Sequence, residues 1–177
     1  MLRLRTLLLV LAVATATLAA SASGERRAVS QQRSLDRQLL GQLNALRAQH
    51  GLHPLRLSRP LAAAATRHSR EMARLGYFSH SSADGTTYLT RIRRFYPASG
   101  FRSWSVGETL AWESPDLTAA DAIAMWMASP RHRALLLGRS WRDVGISAMR
   151  SEVAPGLYGR QPVTVITADF GARSKSG

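Results

Sequence analysis

The order of its periodic segments constrains this chain most: helical repeats of apolar residues come first, and two strand-like runs close it. Leu35, Leu39, Leu43 and Leu46 recur at helical spacing behind Ser34, which predicts a helix capped there and closed by Gly51. Ser58 followed by Pro60 opens a second helix, with Leu61, Ala65, His68, Met72 and Leu75 on one face and Gly76 at its end. After a turn at Ala83-Asp84-Gly85, a short helical segment directs Leu89 and Ile92 inward and Arg91, Arg93 and Arg94 outward, and Pro97 to Gly100 breaks it. Trp104 to Trp112 alternates with period two, which sets Glu108 on the face of Trp104, Val106, Leu110 and Trp112. A carboxylate among such neighbours needs a partner. Thr118 and Asp121 form a capping box for a helix on which Ile123, Trp126 and Met127 share a face, and Pro130 is expected to stop it. Asp143 to Met149 and Val163 to Phe170 read as an antiparallel pair joined through Pro155-Gly156 and Tyr158-Gly159. Helices that lead and strands that trail predict an α+β domain with helices packed on a small antiparallel sheet. No internal repeat is present.

The first residues have a different character. Arg3 and Arg5 precede the apolar run Thr6 to Val13, small residues follow to Ser23, and Ala20-Ser21-Ala22 supplies a cleavage site. This is the order of a secretory signal peptide, so residues 1–22 are expected to be removed and Ser23 to become the mature N-terminus. The apolar segment is shorter than the ~20 residues of a membrane span. Export to the outside or to the cell envelope follows as the expected location. Gly24 to Arg33 is polar and without period, and residues 23–33 and 172–177 are expected to be a flexible leader and tail around a domain at 34–171.

The remaining chain of roughly 155 residues is one domain's worth, enough to bury a real core. It contains no cysteine. Disulfide staples, thiolate chemistry and cysteine-based zinc sites are thereby excluded, and apolar packing or a bound ligand must hold the fold. Without Arg3 and Arg5, 22 of the 24 basic residues stand against all 11 acidic ones, a mature net charge of about +11. Lys175 is the sole lysine. Such a surface attracts anionic polymers and lipid head groups, although a GC-rich genome also produces an arginine bias. His50 and His53 read as exposed residues around a helix end, where a cation is favoured, and His68 as a hydrogen-bonded histidine of the core.

In order, the chain contains LLGQLNALRAQHGLHPLRL, AAAATRHSREMARLGYFSHSSADG, VGETLAW, MWMASPRHRALLL, DVGISAM and TADFG. These blocks, from about Leu39 to Gly171, resemble the CAP superfamily of cysteine-rich secretory, antigen 5 and pathogenesis-related proteins (the SCP domain), and its short bacterial branch in particular. The resemblance implies an α-β-α sandwich, a small central antiparallel sheet between helical layers, with a cleft that gathers histidines and acidic residues. It places the first cleft histidine at His80, the first acidic residue at Glu108 and the second histidine at His132. A second acidic residue of larger members would stand at Ser129, and Thr109 replaces the usual asparagine after the glutamate.

The metal ligands that the resemblance implies are therefore His80, His132 and Glu108, with Ser129 beside them in the cleft. Two neutral imidazoles and a carboxylate suit a divalent metal such as zinc, with water in a further position. No HExxH spacing occurs, so the three come from separate elements. The same residues equally suit a structural hydrogen-bonded cluster. Three uses stay open: a secreted binding module for a metal or for small hydrophobic molecules such as lipids, a metal-dependent extracellular hydrolase, and a polyanion binder acting through Arg91, Arg93, Arg94, Arg131 and Arg133. The residues name no catalytic group.

Overall fold

The structure, a computed structural model, describes residues 29–175. The expected signal peptide, its cleavage site and the mature terminus at Ser23 lie outside the described residues. Helix α1 covers 29–49, so Ser34 lies inside it and does not cap it. Gln31, Gln32 and Arg33 favour helix, and the helix runs through this part of the expected leader without needing an apolar face. Leu39 and Leu43 are fully buried beneath it. At its far end Asn44 both donates to and accepts from the Leu55 backbone, tying α1 to the short strand β1 (Arg56–Leu57).

Helix α2 (Arg59–Leu75) begins as read: the Ser58 hydroxyl accepts from the Leu61 N–H, proline sits in the first turn, and Gly76 closes the helix in the left-handed conformation. Leu61, Ala65, His68 and Met72 are buried, whereas Leu75 is 46% exposed. Helix α3 (Tyr88–Phe95) corrects the assigned inward face. Arg91 and Ile92 are buried, and Leu89 is 44% exposed. The inward stripe is the buried Arg91 and Ile92 with the half-buried Tyr88 and Phe95, a helical spacing that contains an arginine and leaves out a leucine.

Strand β2 (Ser103–Glu113) leads to α4 (Ala119–Ala128), capped by Thr118 as expected. Pro130 does not simply end α4. It occupies the first turn of a new helix, α5 (Pro130–Leu136), where its missing N–H is no loss. Strands β3 (Asp143–Ala154) and β4 (Gln161–Ser174) form a long antiparallel pair around the 3-10 turn Gly156–Tyr158. β4 reaches beyond the expected domain end because it stays paired with the start of β2: Ser174 pairs with Ser103, and Arg173 stacks over Tyr96 and Phe101.

The sheet order is β1-β3-β4-β2, antiparallel except for the two-residue parallel β1. Strand alternation divides its side chains between two helical layers. Val144, Ile146, Ala148, Ile166, Ala168, Phe170 and Ala111 pack against Leu39 and Leu43 of α1, Ala119, Ala122 and Trp126 of α4, and Leu136 of α5. The opposite face meets α2 and α3. There Gly145 lets α2 touch β3 backbone to backbone, since a Cβ would stand 2.0 Å from the Leu61 carbonyl carbon. This is the α-β-α sandwich that the resemblance implied.

Candidate functional site

On the α2/α3 face of the edge strand β2, Glu108 is buried with its side chain fully removed from solvent. Both of its oxygens are engaged. Arg91 NH2 donates to Oε2 in a buried ion pair, and His80 Nδ1 stands 2.8 Å from Oε1. Burial pushes the Glu108 carboxyl up, but the His80 hydrogen bond and the Arg91 charge outweigh it and hold the group below its ordinary range. A carboxylate only accepts, so Nδ1 of His80 carries the proton, and the Nε2 lone pair of a neutral ring is left for the cleft.

Arg91 also fixes the loop that delivers His80. Its NH1 donates to the His80 carbonyl at 3.2 Å and to the Ser82 hydroxyl at 3.0 Å. His68, fully buried on α2, supports the same loop from below: its Nε2–H donates to the Ser79 carbonyl at 2.8 Å. This matches the core role read for it. Burial lowers the His68 pKa more than the Glu108 charge raises it, so the ring is neutral.

His132 reaches the cleft from the other helical layer, on α5. His80, Glu108 and His132 line one cavity of about 500 Å³ with Tyr88, Leu135 and Trp141 on its wall. Gly107 shapes that wall, because a Cβ there would meet the Leu135 side chain at 2.5 Å. Burial, then the neighbouring His80 and Arg131, lower the His132 pKa. Ser129 is not among the residues lining this cavity; it forms the joint between α4 and α5, closing one helix and preceding the proline of the next. Thr109 lies on the opposite face of β2 from Glu108 by strand alternation. A larger groove of about 690 Å³ between α1 and the β3/β4 pair is lined by Leu35, Leu117 and Met149 and by no histidine.

The donor set fits a divalent metal in part. Two imidazoles face the cleft, whereas Glu108 is committed to Arg91 and His80 and holds the position of an orienting partner behind a ligand. Among the described residues, no group of three or more histidines and carboxylates is placed to hold a metal ion. His80 and His132 are therefore the groups that would hold one, and the metal would supply Lewis acidity with water completing its shell.

The sequence places neither Arg91, named there as an outward cation, nor Asp169 in the cleft. Asp169, opposite Glu108 in the β2/β4 register, is fully buried, and among the described residues neither of its oxygens has a hydrogen-bond partner. Burial and the Glu108 charge push its pKa well above the usual carboxyl range. Arg91 was legible in principle: the stripe Tyr88, Ile92, Phe95 includes position 91 at helical spacing, and buried Glu108 required a cation.

Comparison with known proteins agrees with the architecture. The model of the family described as CAP, the cysteine-rich secretory protein family, matches residues 40–164. An uncharacterized membrane protein of Bacillus subtilis, YlbC, is 30% identical over 119 residues, 67% of this chain and 33% of its own length. An extracellular protein containing an SCP domain from Bacillus anthracis strain Ames superimposes with a TM-score of 0.61 at 26% identity, over 80% of this chain and 41% of that one. The chain thus spans well under half of both relatives. An outer surface protein of Borrelia burgdorferi shares the fold, with a TM-score of 0.59 at 20% identity over 77% of this chain and 90% of that one. No described helix is long and apolar enough to cross a membrane.

Proposed function

Because the chain belongs to the cysteine-rich secretory protein (CAP) family, we propose that it is an exported binding module whose cleft takes its ligand on the His80 and His132 imidazoles. The observation that carries this reading is the Arg91–Glu108–His80 relay, which fixes the His80 ring by Nδ1 and leaves its Nε2 uncommitted to Glu108, on a cavity that His132 also lines. Imidazoles suit a transition metal such as zinc better than magnesium, and two protein donors make the binding modest and reversible. Tyr88, Leu135 and Trp141 give the cavity an apolar wall. A small hydrophobic molecule, such as a lipid whose polar end reaches the imidazoles, is the organic ligand that this wall suits. The extracellular and outer-surface descriptions of the structural relatives support export.

Zinc titration by calorimetry tests the proposal. The wild type should bind, and His80→Ala and His132→Ala should each lose binding while remaining folded. Glu108→Gln should weaken affinity by about 10–100-fold, the effect of an orienting partner. Affinity should also fall as pH drops, because protons compete for imidazole nitrogens that ordinarily titrate near ~6.5. Equal affinity in wild type and both alanine variants would overturn the proposal.

A further inference from the structure

The outer face of α2 carries Arg59, Arg67, Arg70 and Arg74, all exposed. With Ala63 between the first two, their spacings of four, four, three and four residues form one straight stripe on the helix side away from the sheet. At ~1.5 Å per residue, the stripe is about 22 Å long. None of the four pairs with a carboxylate among the described residues: the ion pairs of arginine are those of Arg56, Arg91 and Arg150. Glu71, the acidic residue of α2, is turned inward to the Tyr77 hydroxyl and the His68 ring. Asp84 is the carboxylate near the middle of the row, where Arg67 is joined by Arg94 of α3, and its oxygen accepts from the Thr86 N–H.

Two of the cations named at the outset, Arg91 and Arg133, behave differently. Arg91 is buried on Glu108, and Arg133 gives its Nε–H to the Met127 carbonyl. Like charges on successive turns of one helix repel, so a row of this kind lowers helix stability unless an anion covers it. A guanidinium takes phosphate oxygens two at a time and is weakly hydrated, so each arginine is a ready contact for a phosphate group. The ridge is one helix wide and convex. The exposed Leu75 lies about 120° around the helix from the stripe's centre, so a membrane contacting the arginines would not take up this leucine.

The geometry assigns this ridge as a docking surface for a linear, phosphate-bearing polyanion that lies along α2. It is separate from the cleft and does not depend on metal binding there. Attraction comes from counterion release and the phosphate groups, so length and charge of the polymer matter and sequence or stereochemistry do not.

Inorganic polyphosphate is the probe, with binding followed by fluorescence anisotropy of a labelled chain at several salt concentrations. Two triple variants remove the same charge: Arg67→Gln/Arg70→Gln/Arg74→Gln on the ridge, and Arg37→Gln/Arg102→Gln/Arg139→Gln at exposed sites elsewhere. Circular dichroism establishes that both keep the wild-type helix content. The ridge variant should lose at least tenfold in affinity at low salt, and its slope of log affinity against log salt should shrink by about 2, near ~0.7 per lost phosphate contact. The control variant should lose less than threefold. Equal losses in the two variants would show that net charge alone attracts the polymer and would overturn the assignment. So would tight binding to phosphatidylglycerol vesicles without binding to polyphosphate, which would make the partner a membrane. Zinc affinity should be the same in the ridge variant, so failure here and failure of the cleft reading are read separately.

Discussion

The two faces of the sheet are built on different principles. Towards α1, α4 and α5 the face is almost wholly apolar, and Trp126 at its centre needs one hydrogen bond, from its indole N–H to the Leu110 carbonyl at 2.9 Å. Towards α2 and α3 the same strands present Ser147, Thr167, Asp169 and Glu108, and the helices answer with Ser69, His68 and Arg91. The first face holds the fold by area removed from water, and the second spends part of its burial on groups that must be paired. His80 is aimed from the second kind, through its fixed hydrogen bond to Glu108, whereas His132 reaches the cleft on α5 of the first layer.

The largest effects should come from removing one key residue on each face. Arg91→Ala strands a buried carboxylate and should cost about 3–5 kcal/mol at neutral pH, comparable to the ~3–5 kcal/mol of Trp126→Ala. Acid separates the two. Glu108 has a lowered folded pKa, so the stability that its pairing contributes is present above the unfolded pKa and is lost as pH falls through the folded one. Removing Arg91 should therefore hurt less near pH ~4, whereas the Trp126 penalty should stay constant. Urea unfolding at both pH values reads this, and parallel pH behaviour of the two variants would break the comparison.

A smaller change should run the other way. Asp169 has a raised folded pKa, so its side chain favours the fold when protonated and opposes it as pH rises towards and past that value. Asp169→Asn keeps the shape without the charge and should stabilise the protein at pH ~8, with the difference smallest near pH ~4. Thermal unfolding across this range measures it; a destabilised Asn variant at high pH would mean that the Asp169 carboxylate is ionised and useful. Smallest of all, Leu89→Ala should change stability by less than ~0.5 kcal/mol, against ~2–5 kcal/mol for Ile92→Ala, because Leu89 faces solvent. Comparable losses in chemical denaturation would restore Leu89 to the core.

Local chemistry was readable from the chain alone. The Ser58 and Thr118 caps, Gly76 as a helix end, the pairing of β3 with β4 and the burial of Glu108 each depend on residues a few positions apart or on strict alternation. His80 and His132 were identified as cleft residues by resemblance, and the folded chain brings them to one cavity from opposite layers. Helical spacing admits Arg91 to the inward stripe of α3, but tertiary structure decided that it is the partner of Glu108, because only the docking of α3 on the sheet brings the two together. The same holds for Asp169, whose register opposite Glu108 is fixed by a strand pairing across sixty residues, and for Pro130, whose role depends on whether a helix can follow it. Helix and strand periods are set by the backbone within one or two turns, whereas the partner of a buried charge is set by which elements meet, and this depends on the packing of the whole sandwich.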